Sequence, residues 1–129
     1  MKQTREIDIR GAIIFWTITV CYMGAIYIVS SLNNIDIPAL TMGSDKVLHA
    51  CAYMGLAFLS YISMNKSGIK KYIFIAAFLF TSIYGVTDEF HQSFVPGRDS
   101  STGDLIADFS GAFIGCLGAS FSKKWINLF

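Results

Sequence analysis

The sequence predicts an all-α membrane protein, four transmembrane helices in an antiparallel bundle with both termini cytoplasmic. Three observations predict it. Of the 129 residues, 53% are hydrophobic and only 15% charged, and the mean hydropathy of +0.52 is high for a water-soluble chain. The apolar residues gather into four blocks separated by short polar connections. Basic residues are sorted between alternate connections in the way that fixes orientation in a bilayer.

The blocks give the helices in order. "GAIIFWTITVCYMGAIYIVSSL", residues 11–32, carries no charge and at about 1.5 Å per residue covers a hydrocarbon core of about 30 Å. It exceeds the apolar region of a cleaved leader, which predicts a retained helix. The second span is expected over about 46–64, the third over 72–94 and the fourth over 103–121, each borrowing flanking residues to reach full length. Val95 precedes Pro96 and so disfavours further helix, and "VPGRDSSTG" reads as a turn. Ser101 followed by Asp104 resembles a capping box at the start of the fourth helix. "NKSGIKK" is a short turn between antiparallel neighbours. Neither a repeat nor a linker divides the chain, so 1–129 is read as one domain.

Eight of the ten Lys and Arg residues fall in segments on one side and two, Lys46 and Arg98, on the other. This bias places both termini inside the cell. Seven of the nine acidic residues and both histidines, His49 and His91, sort to the opposite, outer side. The net charge of +1 therefore conceals a basic inner face and an acidic outer face, which argues against nucleic acid as a partner. Cys21, Cys51 and Cys116 lie within apolar helices at no metal-binding spacing and are expected to be buried thiols without chemistry.

The outer side draws attention because Tyr84–Asp108 holds five of the nine acids between two apolar blocks. With helices starting near Asp45 and Thr102, His49 and Asp108 lie about 6 and 9 Å below the helix ends, at a level shared by Asp88 and Glu89. Helical spacing puts Asp45, His49 and Tyr53 on one face. Tyr84 and Asp88 share a face with His91 or Gln92, and Glu89 with Gln92. Asp104, Asp108, Gly111 and Gly115 share a third. Polar groups at this depth are expensive toward lipid, so they are expected to face one another, with Lys46 and Arg98 pairing with carboxylates. Asp88, His91 and Asp99 are expected to contact water. Gly111, Gly115 and Gly118 are expected at close helix contacts.

"DKVLH" with a tyrosine four positions after its histidine, then "YGVTDEFHQSFVPGR", then "DLIAD" with a glycine three residues on, together resemble the VanZ-like family of small bacterial membrane proteins. The resemblance covers about 45–115. The matching positions are Asp45, Lys46, His49, Tyr53, Tyr84, Glu89, Gln92, Pro96, Gly97, Arg98, Asp104 and Gly111. Asp108 departs from it, because the family pattern usually has asparagine there. The resemblance implies a multi-pass protein of the bacterial cytoplasmic membrane with a role at the cell envelope. The founding members are associated with low-level resistance to teicoplanin, a lipidated glycopeptide.

The expected function is an outward-facing polar pocket that recognises an envelope lipid or lipid-linked headgroup. If it modifies that ligand, Glu89 is the candidate acid or base, His49 adjusts its protonation, and Arg98, folded back over Glu89, grips a phosphate. Asp45, Lys46, Tyr53, Tyr84, Gln92, Asp104 and Asp108 are the candidate binding residues. Two alternatives stand beside this reading. One is a binder of lipid or glycopeptide without chemistry. The other, a small transporter, is disfavoured by the apolar inner halves of the helices. A metal centre of His49, Glu89, Asp104 and Asp108 is set aside for want of a second well-placed histidine, and no cofactor is expected.

Overall fold

Asp8 sits at the head of the first apolar block and accepts a hydrogen bond from the Gly11 amide at 2.9 Å. This is the side-chain cap that an uninterrupted apolar helix needs at its first turn. The structure, a computed structural model, describes residues 7–32, 42–98 and 100–126. It is helical throughout: α1 Ile9–Ser31, α2 Met42–Lys66, α3 Ile73–Gln92, α4 Thr102–Phe121 and a single turn, α5 Lys123–Ile126. No strand occurs among the described residues. Four helices, α1 to α4, are long and apolar enough to cross a membrane. Lys2, Arg5 and Asp36, used in the charge count, lie outside the described residues.

Boundaries move by a few residues. The second helix begins at Met42 rather than near Asp45 and continues to Lys66, because the polar residues at both of its ends keep helical geometry. The third stops at Gln92, where Ser93, Phe94 and Val95 turn their amides back on the carbonyls of Glu89, His91 and Gln92. Ser101 caps α4 by accepting from the Asp104 amide at 3.2 Å. The reciprocal half of a box is replaced, since Asp104 instead receives Lys46.

Helix direction alternates along the chain. The C-terminus of α1 meets that of α3 through Gln92 and Ser30, and the N-terminal turn of α2 meets that of α4 through Lys46 and Asp104. The bundle is therefore up-down-up-down, with one end made of the α2 and α4 N-termini and the α1 and α3 C-termini.

The most extensive packing joins α2 to α4. It depends on Gly111 and Gly115, where an added Cβ would fall inside the carbonyl oxygens of Ala50 and Met54 respectively. Small residues permit this backbone approach, which in a bilayer supplies much of the attraction between helices. Below it lies a core of Ala57, Tyr61, Ala77, Ala112, Cys116 and Ala119. Cys116 is buried as expected, whereas Cys21 and Cys51 face outward from the bundle, where a thiol serves as a small apolar side chain. Gly118 has only a distant contact with Phe58.

The first helix is held differently. Only 11% of its apolar window is buried, against 44% for α2, so polar ties anchor it. The Trp16 indole donates to Ser67 Oγ at 2.9 Å, Thr19 and Ser63 share a hydroxyl bond of 2.9 Å, and the Tyr22 and Tyr84 hydroxyls donate to Ala52 and Met23 carbonyls. Ile14, Ile18, Ile28, Ile75, Leu79, Ile83, Ile106 and Ile114 point away from the bundle. This is the apolar belt that a bilayer requires.

Candidate functional site

Starting α2 at Met42 puts His49 about 10 Å down the helix, level with Asp108 at about 9 Å down α4. The two meet: His49 Nδ1 is 2.9 Å from Asp108 Oδ1. Asp108 is fully buried, and its Oδ2 has no hydrogen-bond partner. Glu89 arrives at the same layer from α3, with Oε1 4.0 Å from His49 Nδ1. It is 6% exposed, and neither of its carboxylate oxygens makes a hydrogen bond. The Ser101 amide faces this carboxyl without closing a bond.

One helical turn above, Lys46 Nζ pairs with Asp104 Oδ1 at 3.2 Å. The lysine is half-exposed and the aspartate buried, so the pair forms the lid of the layer. Asp45, on the preceding residue, is exposed. One turn below His49, Tyr53 is buried and donates its hydroxyl to Asp88 Oδ2 at 3.1 Å. Asp88, expected at water, is therefore buried, and its other oxygen is unpartnered. The reason is geometric. Adjacent helical residues differ by about 100°, and α3 is flanked on both sides, so Glu89 faces His49 on α2 and Asp108 on α4 while Asp88 faces Tyr53.

His91 is half-buried and also finds neighbours. It stacks on Tyr27 with ring centroids 4.6 Å apart and bonds Ser31 Oγ at 2.9 Å. Asp99 lies outside the described residues. Gln92 donates to Ser30 Oγ at 2.9 Å, and Tyr84 to the Met23 carbonyl at 2.6 Å. These two candidate binding residues thus tie α3 to α1.

Arg98 is placed elsewhere than over Glu89. Its Nε donates to the Leu32 carbonyl at 3.1 Å and its Nη2 to the Val29 carbonyl at 2.9 Å. One carbonyl is in the last turn of α1, where Val29 also accepts the Leu32 amide, and the other is that of the C-cap residue Leu32; a planar fork of donors suits two carbonyls at once. Arg98 therefore acts as a clasp between the α3–α4 turn and the end of α1.

Beside this layer a cavity of about 440 Å³ lies among α1, α2 and α3. Ala25, Ile26 and Val29 of α1 with Leu48 and Ala52 of α2 form its apolar walls. Asp45, His49, Tyr53, Asp88, Gln92 and Arg98 supply polar groups. The contribution of α1, including Tyr22 and Ser30, had no sequence signal beyond isolated hydroxyls within an uncharged span.

No curated protein and no solved structure matches the chain. The family model for VanZ/LLP1 matches residues 13–123, reaching beyond the signature segments into both outer helices, and the chain belongs to the VanZ/LLP1 family.

Proposed function

We propose that the acidic end of the bundle faces the outside of a bacterial cytoplasmic membrane and that its cavity recognises an envelope lipid or lipid-linked headgroup. One observation carries this reading. The cavity combines an apolar wall on the least buried helix, α1, with a polar floor of His49, Tyr53, Asp88 and Gln92. A pocket that is mostly apolar with a few convergent polar groups is the general form of a small-ligand site, and here the apolar side is the side nearest lipid. A ligand with both an acyl chain and a hydrogen-bonding head matches both walls. The reading accommodates the association of VanZ-like proteins with teicoplanin, whose target precursors are lipid-linked and external.

Chemistry on the ligand is the second reading, and Glu89 favours it from behind the cavity wall, through His49, which lines the cavity. A buried carboxyl without a hydrogen-bond partner, 4.0 Å from a histidine, is the kind of group that proton-transfer sites hold in reserve. Arg98 does not share this role, since its donors already serve α1.

Native mass spectrometry of gently extracted protein tests the binding. A discrete lipid adduct is expected on the wild type, and Ala25→Trp, which fills the cavity from its wall, is expected to remove it without lowering the melting temperature. Absence of any lipid adduct, or its persistence in Ala25→Trp, overturns the reading. Orientation is checked separately: a reporter after Phe129 should be cytoplasmic and one inserted near Ser100 external.

A further inference from the structure

Charge in the buried layer does not balance. Asp88, Glu89, Asp104 and Asp108 are each at least nine-tenths buried. Among the described residues, the cationic side chains in contact with them are Lys46, spent on Asp104, and His49, which bonds Asp108; Arg98 shares the cavity with Asp88 but gives its donors to the end of α1. Even a protonated His49 leaves two negative charges uncompensated when all four acids are ionised. Buried charges require pairing, protonation or a metal ion. Four oxygens in this layer also lack hydrogen-bond partners: both of Glu89, Oδ2 of Asp108 and Oδ1 of Asp88.

From this layer we infer that His49, Glu89 and Asp108 form a binding site for a divalent cation. One donor atom from each residue can be chosen so that all three lie within 4.8 Å of one another. Two ligands about 2.1 Å from one ion are at most about 4.2 Å apart. The His49–Asp108 separation of 2.9 Å and the His49–Glu89 separation of 4.0 Å both fall within that span. Donors of Glu89 and Asp108 lie within 4.8 Å of each other, and rotation of the Glu89 side chain, which no hydrogen bond holds, is the movement that brings this pair into the same span. Glu89 provides the independent sign of a ligand, since it is buried, makes no hydrogen bond and points its Oε1 at His49.

The sequence argued against a metal for lack of a second histidine, but one imidazole with two carboxylates is a sufficient donor set. Mixed nitrogen and oxygen donors suit Zn²⁺ or Mn²⁺ better than Mg²⁺ or Ca²⁺, which favour oxygen alone. A second triple, Asp45, His49 and Asp104, shares the histidine but has an exposed Asp45 and an Asp104 already paired with Lys46. The buried Asp108 carboxylate supplies the second negative donor.

The inference goes beyond lipid recognition and does not rest on it. Full-length protein in detergent, stripped with a chelator and separated from added lipid, is titrated with ZnCl₂ or MnCl₂ and desalted. Its metal content is then measured. About one cation per chain should remain, and its binding should raise the melting temperature. Glu89→Gln removes a ligand without removing any hydrogen bond, and should weaken binding by at least about tenfold, the loss seen even for groups one shell out. Asp108→Asn, which keeps an acceptor for His49, should do the same, so that misfolding of one variant leaves the other to decide. Failure of the wild type to retain a cation, or unchanged affinity in a folded variant, overturns the site. Lipid adducts surviving chelation in that case would leave the lipid reading intact.

Discussion

The two ends of the bundle treat buried polar groups in opposite ways. At the end formed by the N-terminus of α1 and the C-terminus of α2, the polar groups that join the two helices are matched, and the buried group without a partner there is a neutral hydroxyl, that of Ser60. Lys66 Nζ reaches Asp8 Oδ2 at 3.0 Å, Trp16 holds Ser67, and Thr19 holds Ser63. At the other end, three buried carboxylates retain unpartnered oxygens beside a cavity. A membrane protein tolerates unsatisfied polar groups only at considerable free-energy cost, greatest for carboxylates, so the contrast favours placing the proposed site at the acidic end. Between them, the glycine contact of α2 with α4 holds the acidic layer in register.

The largest effect should come from breaking that contact. Gly111→Ala replaces glycine with a better helix former, worth about 1 kcal/mol in an open helix. Its new Cβ would collide with the Ala50 carbonyl, which is backbone and cannot rotate away. Loss of about 1–3 kcal/mol or more is expected from such overpacking, seen as a lower melting temperature and loss of any co-purifying lipid. Gly24→Ala provides the contrast, since nothing lies within 4 Å of a Cβ there, and it should be neutral or slightly stabilising.

Glu89→Gln should come next for function while costing little stability. Glu89 makes no hydrogen bond, and His49, 4.0 Å away, keeps Asp108 as its closer partner, so neutralising Glu89 strands no charge of the kind whose isolation costs about 3–5 kcal/mol. Unchanged melting with complete loss of biological activity would assign Glu89 to chemistry or ligand contact. Retained activity with full lipid occupancy would remove it from any catalytic role.

Arg98→Lys is expected to be milder. It surrenders the fork on Val29 and Leu32, of which each net bond is worth about 1 kcal/mol. Hydrogen exchange should accelerate in the last turn of α1 and across the Arg98 loop, with little change elsewhere. Uniform exchange across the protein would deny the clasp.

These cases also show what a single sequence can disclose. Periodicity along α2 and α4 was legible because Asp45, His49 and Tyr53, and Asp104, Asp108 and Gly111, stand at helical spacing on helices with otherwise apolar faces. It could not assign Asp88, because whether both of two adjacent acids are buried depends on how many neighbours flank α3. It could not aim Arg98, since the path of a turn after Pro96-Gly97 is set by the tertiary position of α1. Nor could it reveal the cavity, whose wall is an uncharged helix with hydroxyls indistinguishable from those that merely bond their own backbone.

The smallest effect should lie at the matched end. Asp8 caps α1 through the Gly11 amide and pairs with Lys66, and these contacts, the amide first, hold its carboxyl below the usual value of 3.8. A depressed folded-state value means that its stabilising contribution is complete above the unfolded value and is lost as pH falls through the folded one. Asp8→Asn keeps a capping oxygen but removes the charge. Its melting temperature should therefore fall less than that of Arg98→Lys at neutral pH, and the difference from wild type should close below pH 3.8. A gap that persists in acid would mean that Asp8 acts through the shape of the cap alone, and the matched end would then owe less to charge pairing than its geometry indicates.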